Sequence, residues 1–128
     1  MGANAETVKS LWEAFSRQDL EAATADFDQS AEIRIPDTLP WGGTYRGPEG
    51  FKEMIGKFTS NLEDFRPNPE TFLEDGDYVA VPLDVQGRTT TGNDFSGRAL
   101  WLYKLTDGRI VRAEIFADTA RTREAVGG

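Results

Sequence analysis

Glu114 and Asp118 stand four residues apart in a stretch that alternates like a β-strand. If no bulge intervenes, both project from one face together with Arg112 and Phe116. Two carboxylates on one face can divide general-acid and general-base roles when their surroundings separate their pKa values. Weight falls on such groups because the chain has no His and no Cys. Lack of Cys removes disulfides, thiolate nucleophiles and cysteine-held zinc or iron–sulfur centres. Lack of His removes Ser-His-Asp triads, imidazole metal sites and the usual base near neutral pH. Acid–base chemistry must therefore run through Asp, Glu, Tyr, Lys or Arg. Tyr45 and Tyr103 add hydroxyls that can hydrogen-bond a carbonyl. Plainer roles compete: Asp118 can cap the C-terminal segment, and Glu114 can pair with Arg98 or Arg112 at the surface.

The 128 residues fit one domain, residues 1–128. Fourteen basic against 22 acidic side chains give a net charge of −8. That surface repels phosphate backbones and anionic bilayers, so neither nucleic acid nor membrane is an expected partner. No apolar run approaches the roughly 18 residues needed to span a bilayer. The opening Met1-Gly2-Ala3-Asn4 has no basic, apolar leader pattern, so a cytoplasmic location is expected. The glycine-rich stretches lack a Lys-Ser/Thr ending or dinucleotide-binding spacing, and Asp26, Asp28 and Asp37 do not follow a calcium-loop pattern. Neither a cofactor nor a metal is expected.

Helices and strands must position the candidates. Val8, Leu11, Trp12 and Phe15 recur at helical spacing after Asn4, a candidate cap. Asp19 can cap a short second helix with Leu20, Ala23 and Phe27. Residues 31–35 alternate as a strand up to Pro36, and residues 37–47 read as a long loop holding Trp41 and Tyr45. Pro48 opens a third helix on which Phe51, Met54, Ile55, Phe58 and Leu62 share a face. From Phe65 the period becomes two: residues 78–86, 95–105 and 110–116 read as strands of an antiparallel meander, with Asp107-Gly108 a hairpin signal. Segregated helices and strands make an α+β fold, and Gly87, Gly92 and Gly97 are candidate bends that let the sheet enclose a pocket.

The order of elements resembles the nuclear transport factor 2-like superfamily, and within it the SnoaL-like polyketide cyclase branch. The likeness rests on four stretches: residues 15–20 (Phe-Ser-Arg-Gln-Asp-Leu), 43–50 (Gly-Thr-Tyr-Arg-Gly-Pro-Glu-Gly), 103–111 (Tyr-Lys-Leu-Thr-Asp-Gly-Arg-Ile-Val) and 116–119 (Phe-Ala-Asp-Thr). The resemblance implies a cone-shaped α+β barrel of a curved, mainly antiparallel sheet wrapped around three N-terminal helices. It also implies one deep pocket for a small hydrophobic molecule and a homodimer through the sheet's other face.

In such a cyclase or isomerase, cofactor-free acid–base chemistry acts on a hydrophobic, polycyclic or ketonic substrate. Asp118 matches the acidic residue near the end of the last strand, with Glu114 as its helper. Burial against aromatics would raise the Asp118 pKa towards the working range. The loop aromatics Trp41 and Tyr45 border the cavity mouth, and Tyr103, Trp12, Phe15, Phe58 and Trp101 supply further contacts. A non-catalytic binding or dimerisation module of the same fold is the alternative. An epoxide hydrolase-like enzyme is disfavoured because Leu100, not Asp, follows two residues after Arg98. A ketosteroid isomerase is disfavoured because Leu11 and Ile35 occupy its Tyr and Asp positions. Arg98 and Asp84 read instead as outward-facing charges.

Overall fold

The computed structural model describes residues 2–118 and 124–126. Helix α1 (Ala3–Ser16) buries Val8, Leu11 and Trp12, the stripe its spacing predicts. Its cap position, Gly2, lies two residues before the expected Asn4, and Glu74 closes the helix from outside: the Ala5 backbone N–H donates to Glu74 Oε1 at 2.8 Å. Helix α2 (Leu20–Ala23) is a single turn, held by Asp19, whose Oδ1 accepts from Ala22 N–H at 3.1 Å. Helix α3 (Gly47–Asn61) carries Pro in its first turn and buries Phe51 and Met54.

Seven strands form one sheet: β1 (Phe27–Ile35), β2 (Gly43–Arg46), β3 (Leu62–Pro69), β4 (Leu73–Asp75), β5 (Tyr78–Thr89), β6 (Asp94–Thr106) and β7 (Arg109–Ala117). Their order is β2-β1-β7-β6-β5-β3, with β4 pairing β5. Among the described residues only β1 and β7 run parallel; the other pairs are antiparallel. Among the described residues β2 and β3 end the path without pairing each other, so the sheet is curved but unclosed rather than a barrel. The helices do not all precede the sheet either, since α3 follows two strands. The supposed loop at residues 37–47 ends in strand β2, whose Tyr45 pairs with Ile33. A four-residue strand with one buried side chain shows no period that a sequence reading could detect.

Breaks in strand register, which bend a sheet, do not fall at the expected glycines themselves. Register shifts interrupt β1–β7 between Phe27 and Glu32, β3–β5 between Leu62 and Asp64, and β6–β7 between Lys104 and Leu105. In contrast, β5 and β6 pair without interruption through Gly87 and Gly97. Gly87 serves a different need: a Cβ there would lie 2.7 Å from the Phe95 ring, so its hydrogen makes room for that ring.

The two faces of the sheet separate cleanly. Ile33 and Ile35, Val79, Val81 and Leu83, Tyr103 and Leu105, and Ala113 and Ile115 point to the concave side and are buried with the helices. Burying each such aliphatic or aromatic side chain contributes about 1.5–3 kcal/mol relative to exposure. Glu32, Arg34, Asp84, Arg98, Arg112 and Glu114 alternate with them and point the other way. Among the described residues no helix is long and apolar enough to cross a membrane.

Candidate functional site

Between α1, α3 and the concave sheet lies an aromatic recess of about 50 Å³. Helical spacing brings Leu11, Trp12 and Phe15 to it from α1, and Phe51, Met54, Ile55 and Phe58 from α3. Strand alternation brings Trp101 and Tyr103 from β6, and Phe65 comes from β3. The rings meet edge to face: Trp12 on Trp101 at 5.7 Å and 89°, and Phe58 on Phe65 at 4.5 Å and 90°. Trp101 and Tyr103, two residues apart on one strand face, stack at 5.9 Å and 18°. Such pairs hold the rings in defined orientations beyond the area they bury.

The recess adjoins a cleft of about 640 Å³ and shares with it Trp12, Phe15, Ile55, Phe58 and Phe65. The outer rim of the cleft is polar, with Gln18, Glu63, Asp64 and Arg66, the last two paired at 3.0 Å. A volume of this size falls in the ordinary range for small-ligand pockets, roughly 300–1,000 Å³. A wider depression of about 990 Å³ lies over the ends of β3, β5 and β6, but charged and polar side chains dominate it, including the Arg88–Asp94 pair at 2.9 Å. The aromatic recess with its cleft is therefore the candidate site.

Of the residues singled out from sequence, Trp12, Phe15, Phe58, Trp101 and Tyr103 meet in this recess. Trp41 and Tyr45 do not line it. Both are buried: Trp41 packs edge to face on Phe58 at 5.0 Å, and the Tyr45 hydroxyl donates to the Trp41 carbonyl at 2.8 Å. They brace the recess from behind. Phe51, Met54, Ile55 and Phe65 line it without having been named as contacts, although α3 spacing already placed the first three on the same face as Phe58.

The two carboxylates part company. Glu114 projects from the convex face, on the other side of the sheet from the recess. Its carboxylate lies 3.2 Å from Arg112 and 3.8 Å from Arg34. Arg34 continues the chain of charges to Glu32 at 2.6 Å, and Glu32 reaches Arg46 at 3.9 Å. Arg34's hydrogen bond holds the Glu32 carboxyl below the usual carboxylate range. Arg98 joins Asp84 at 2.9 Å and Glu70 at 3.0 Å, which makes both members of the Arg98–Asp84 pair outward-facing charges.

Asp118 follows the last residue of β7, exposed. A Cβ built on Gly97 would lie 3.9 Å from the Asp118 Cβ. Gly97 shares strand parity with Trp101, so this short approach places Asp118 on the concave side, having left the alternation of its own strand. Gly97 is four residues from Trp101, on the order of 13 Å along β6. Asp118 therefore stands at the far end of the concave face and not in the recess.

Among the described residues no carboxylate lines the recess. Its polar groups are indoles, a thioether and one phenol, and burial pushes the pKa of the Tyr103 phenol well above its ordinary value. Tyr103 stays protonated and can donate a hydrogen bond, but it cannot serve as a base near neutrality. Among the described residues no group of three or more carboxylates is arranged to hold a metal ion.

Residues 8–113 match the family described as the SnoaL-like domain. No curated protein matches the chain. Among solved structures, an NTF2-like protein of unknown function from Burkholderia pseudomallei is similar at a TM-score of 0.94 and 24% identity over 100% of both chains. TerC, crystallised with polyporic acid, is similar at 0.90 and 24% identity over 99% of this chain and 100% of its own. IdmH from Streptomyces antibioticus, a candidate polyketide cyclase, is similar at 0.78 and 23% identity over 98% of this chain and 99% of its own. With a curved sheet cupping an aromatic recess and the family match running from α1 into β7, the chain belongs to the SnoaL-like family of the NTF2-like superfamily.

Proposed function

We propose that this protein binds a small hydrophobic, ring-containing molecule in the recess and its cleft. The observation that carries the reading is the aromatic lining of the recess, shared in part with a cleft large enough for a bicyclic or larger ligand. A relative of the same fold that crystallises with polyporic acid adds support for a small-molecule role. Bicyclic aromatics are expected to raise the melting temperature and to quench tryptophan emission from Trp12 and Trp101. Phe15→Asp, which puts a charge where recess and cleft meet, should weaken that binding by more than about tenfold. Unchanged binding in this variant would move the ligand elsewhere and end the reading.

The second reading is cofactor-free cyclisation or isomerisation of a polycyclic ketone, with Asp118 as acid and base. Its support is the concave-side placement of Asp118 at the end of β7. The order of 13 Å between Gly97 and Trp101 matches a substrate several fused rings long, held by the aromatics at one end and reached by Asp118 at the other. Glu114 has no part in this version, because it faces away across the sheet. Asp118→Asn should abolish turnover of such a ketone while leaving its binding intact; full turnover in that variant refutes the catalytic role.

Assembly as a homodimer through the convex face belongs to the same proposal. Phe116 is 50% exposed there and pairs across the strands with Leu100, which gives the charged face an apolar centre. Sedimentation velocity at micromolar concentration checks it: a species of about 28 kDa is expected from the 14.2 kDa chain, and a monomer rejects the assembly.

A further inference from the structure

The recess contains a hydrogen-bond donor that meets no well-placed acceptor among the described residues. Trp12 is 8% exposed, and its indole Nε1–H meets no acceptor among the described residues. Folded proteins rarely leave such a group unmet, because it has lost its water without a replacement. The indole lies beside the Tyr103 phenol, near enough to draw that group's pKa partway back from the rise imposed by burial, yet it forms no well-made hydrogen bond with it. An indole N–H and a phenol O–H thus sit together in a lining that is otherwise mostly hydrocarbon.

Size and charge narrow what completes this site. About 50 Å³ is well short of the roughly 150 Å³ that holds benzene, although it exceeds what one atom group or one water requires. A ring must therefore stay in the neighbouring cleft, which also touches Trp12, and only a small substituent can enter. Among the described residues no Lys or Arg lines the recess, so a carboxylate or phosphate would be buried there without a counter-charge. A hydroxyl would bring its own donor and leave it unmet. A carbonyl oxygen only accepts, and its two lone pairs suit two donors.

We propose that Trp12 is a specificity-determining residue whose Nε1–H, with the Tyr103 hydroxyl beside it, receives the carbonyl oxygen of a ring ketone or quinone seated in the cleft. This rests on the recess being the ligand site and adds the residue that tells a ring ketone from the hydrocarbon of the same frame.

1-Tetralone and tetralin share a bicyclic frame and differ by one carbonyl, so they test the inference on the full chain. In ¹⁵N-labelled protein, the Trp12 indole resonance is assigned by its loss in Trp12→Phe. 1-Tetralone should move it downfield and tetralin should not. In Trp12→Phe, the ratio of 1-tetralone to tetralin affinity should fall by about tenfold. An indole resonance that responds alike to both compounds overturns the proposal, as it would if a bound water already occupied Nε1. That result leaves the binding site itself standing, since tetralin still binds. If neither compound binds, the site fails and this inference with it. Should Trp12→Phe not fold, the resonance in the unmodified protein, identified by its contacts with the Tyr103 ring, decides the matter alone.

Discussion

The two faces of one sheet use the same strands for opposite purposes. On the concave face, Ile33, Val81, Leu83, Trp101 and Tyr103 join the core shared with the helices, and the last two line a recess with no charged side chain among the described residues. On the convex face, the residues between them form partly exposed ion pairs around Phe116 and Leu100. A one-residue step along β7 takes the chain from buried Ile115 to half-exposed Phe116. Burial makes the concave face sensitive to single atoms, whereas solvent makes the convex face tolerant. Stability should therefore be lost unevenly when the two faces are changed in turn.

The largest loss is expected from the concave side. Phe27 is 1% exposed and meets Phe51 at 5.4 Å, edge to face, where β1 packs under α3. Phe27→Ala should cost about 3–5 kcal/mol, which would take up much of the stability of a domain this size. Urea unfolding measures it. A loss below about 1 kcal/mol would mean that the core relaxes around the gap, and the contrast between the faces would then be far weaker than the burial implies.

How much of this contrast could be read from the sequence depended on the range of the forces. The helix stripes of α1 and α3 follow from local spacing, and they carry seven of the recess residues. The β5 and β6 alternation was equally visible. Strand β2 was missed because four residues with one buried side chain carry no period. Trp41 and Tyr45 read as mouth residues because a loop aromatic has no periodic reason for burial. Phe58, distant in sequence, buries Trp41, which in turn offers its carbonyl to Tyr45. Parity correctly linked Glu114 with Arg112, but it cannot say which face meets the helices. For Asp118 strand parity does not apply, because β7 ends at Ala117, and its Cβ comes within 3.9 Å of a Cβ built on Gly97.

An intermediate effect appears in alkali and belongs to the concave side alone. Unfolded tyrosine loses its proton near pH 10, whereas burial holds Tyr103 protonated above that. Between those two values the folded chain binds one more proton than the unfolded chain. Stability therefore falls as pH rises, by up to about 1.4 kcal/mol per unit from this one group, and its contribution is complete below pH 10. Tyr103→Phe should flatten this part of the curve between about pH 10 and 11.5 relative to the parent. Equal slopes would mean that solvent reaches the phenol and that the recess is wetter than its lining implies.

The smallest effect should come from Glu114, which sequence spacing had nominated for catalysis. Its carboxylate is shared between Arg112 and Arg34, and Arg34 is already held by Glu32 at 2.6 Å. Glu114→Gln removes the charge but leaves a side chain of the same length to occupy the space, and Arg34 keeps its nearer partner. Its cost should be under about 1 kcal/mol and should shrink further in molar salt, as screening weakens what remains. Affinity for a bicyclic ligand should not change, since a sheet separates the site from the substitution. A loss of ligand binding without a loss of stability would break the comparison at its root. It would mean that the two faces communicate through β7, because the carboxylate cannot reach the recess directly.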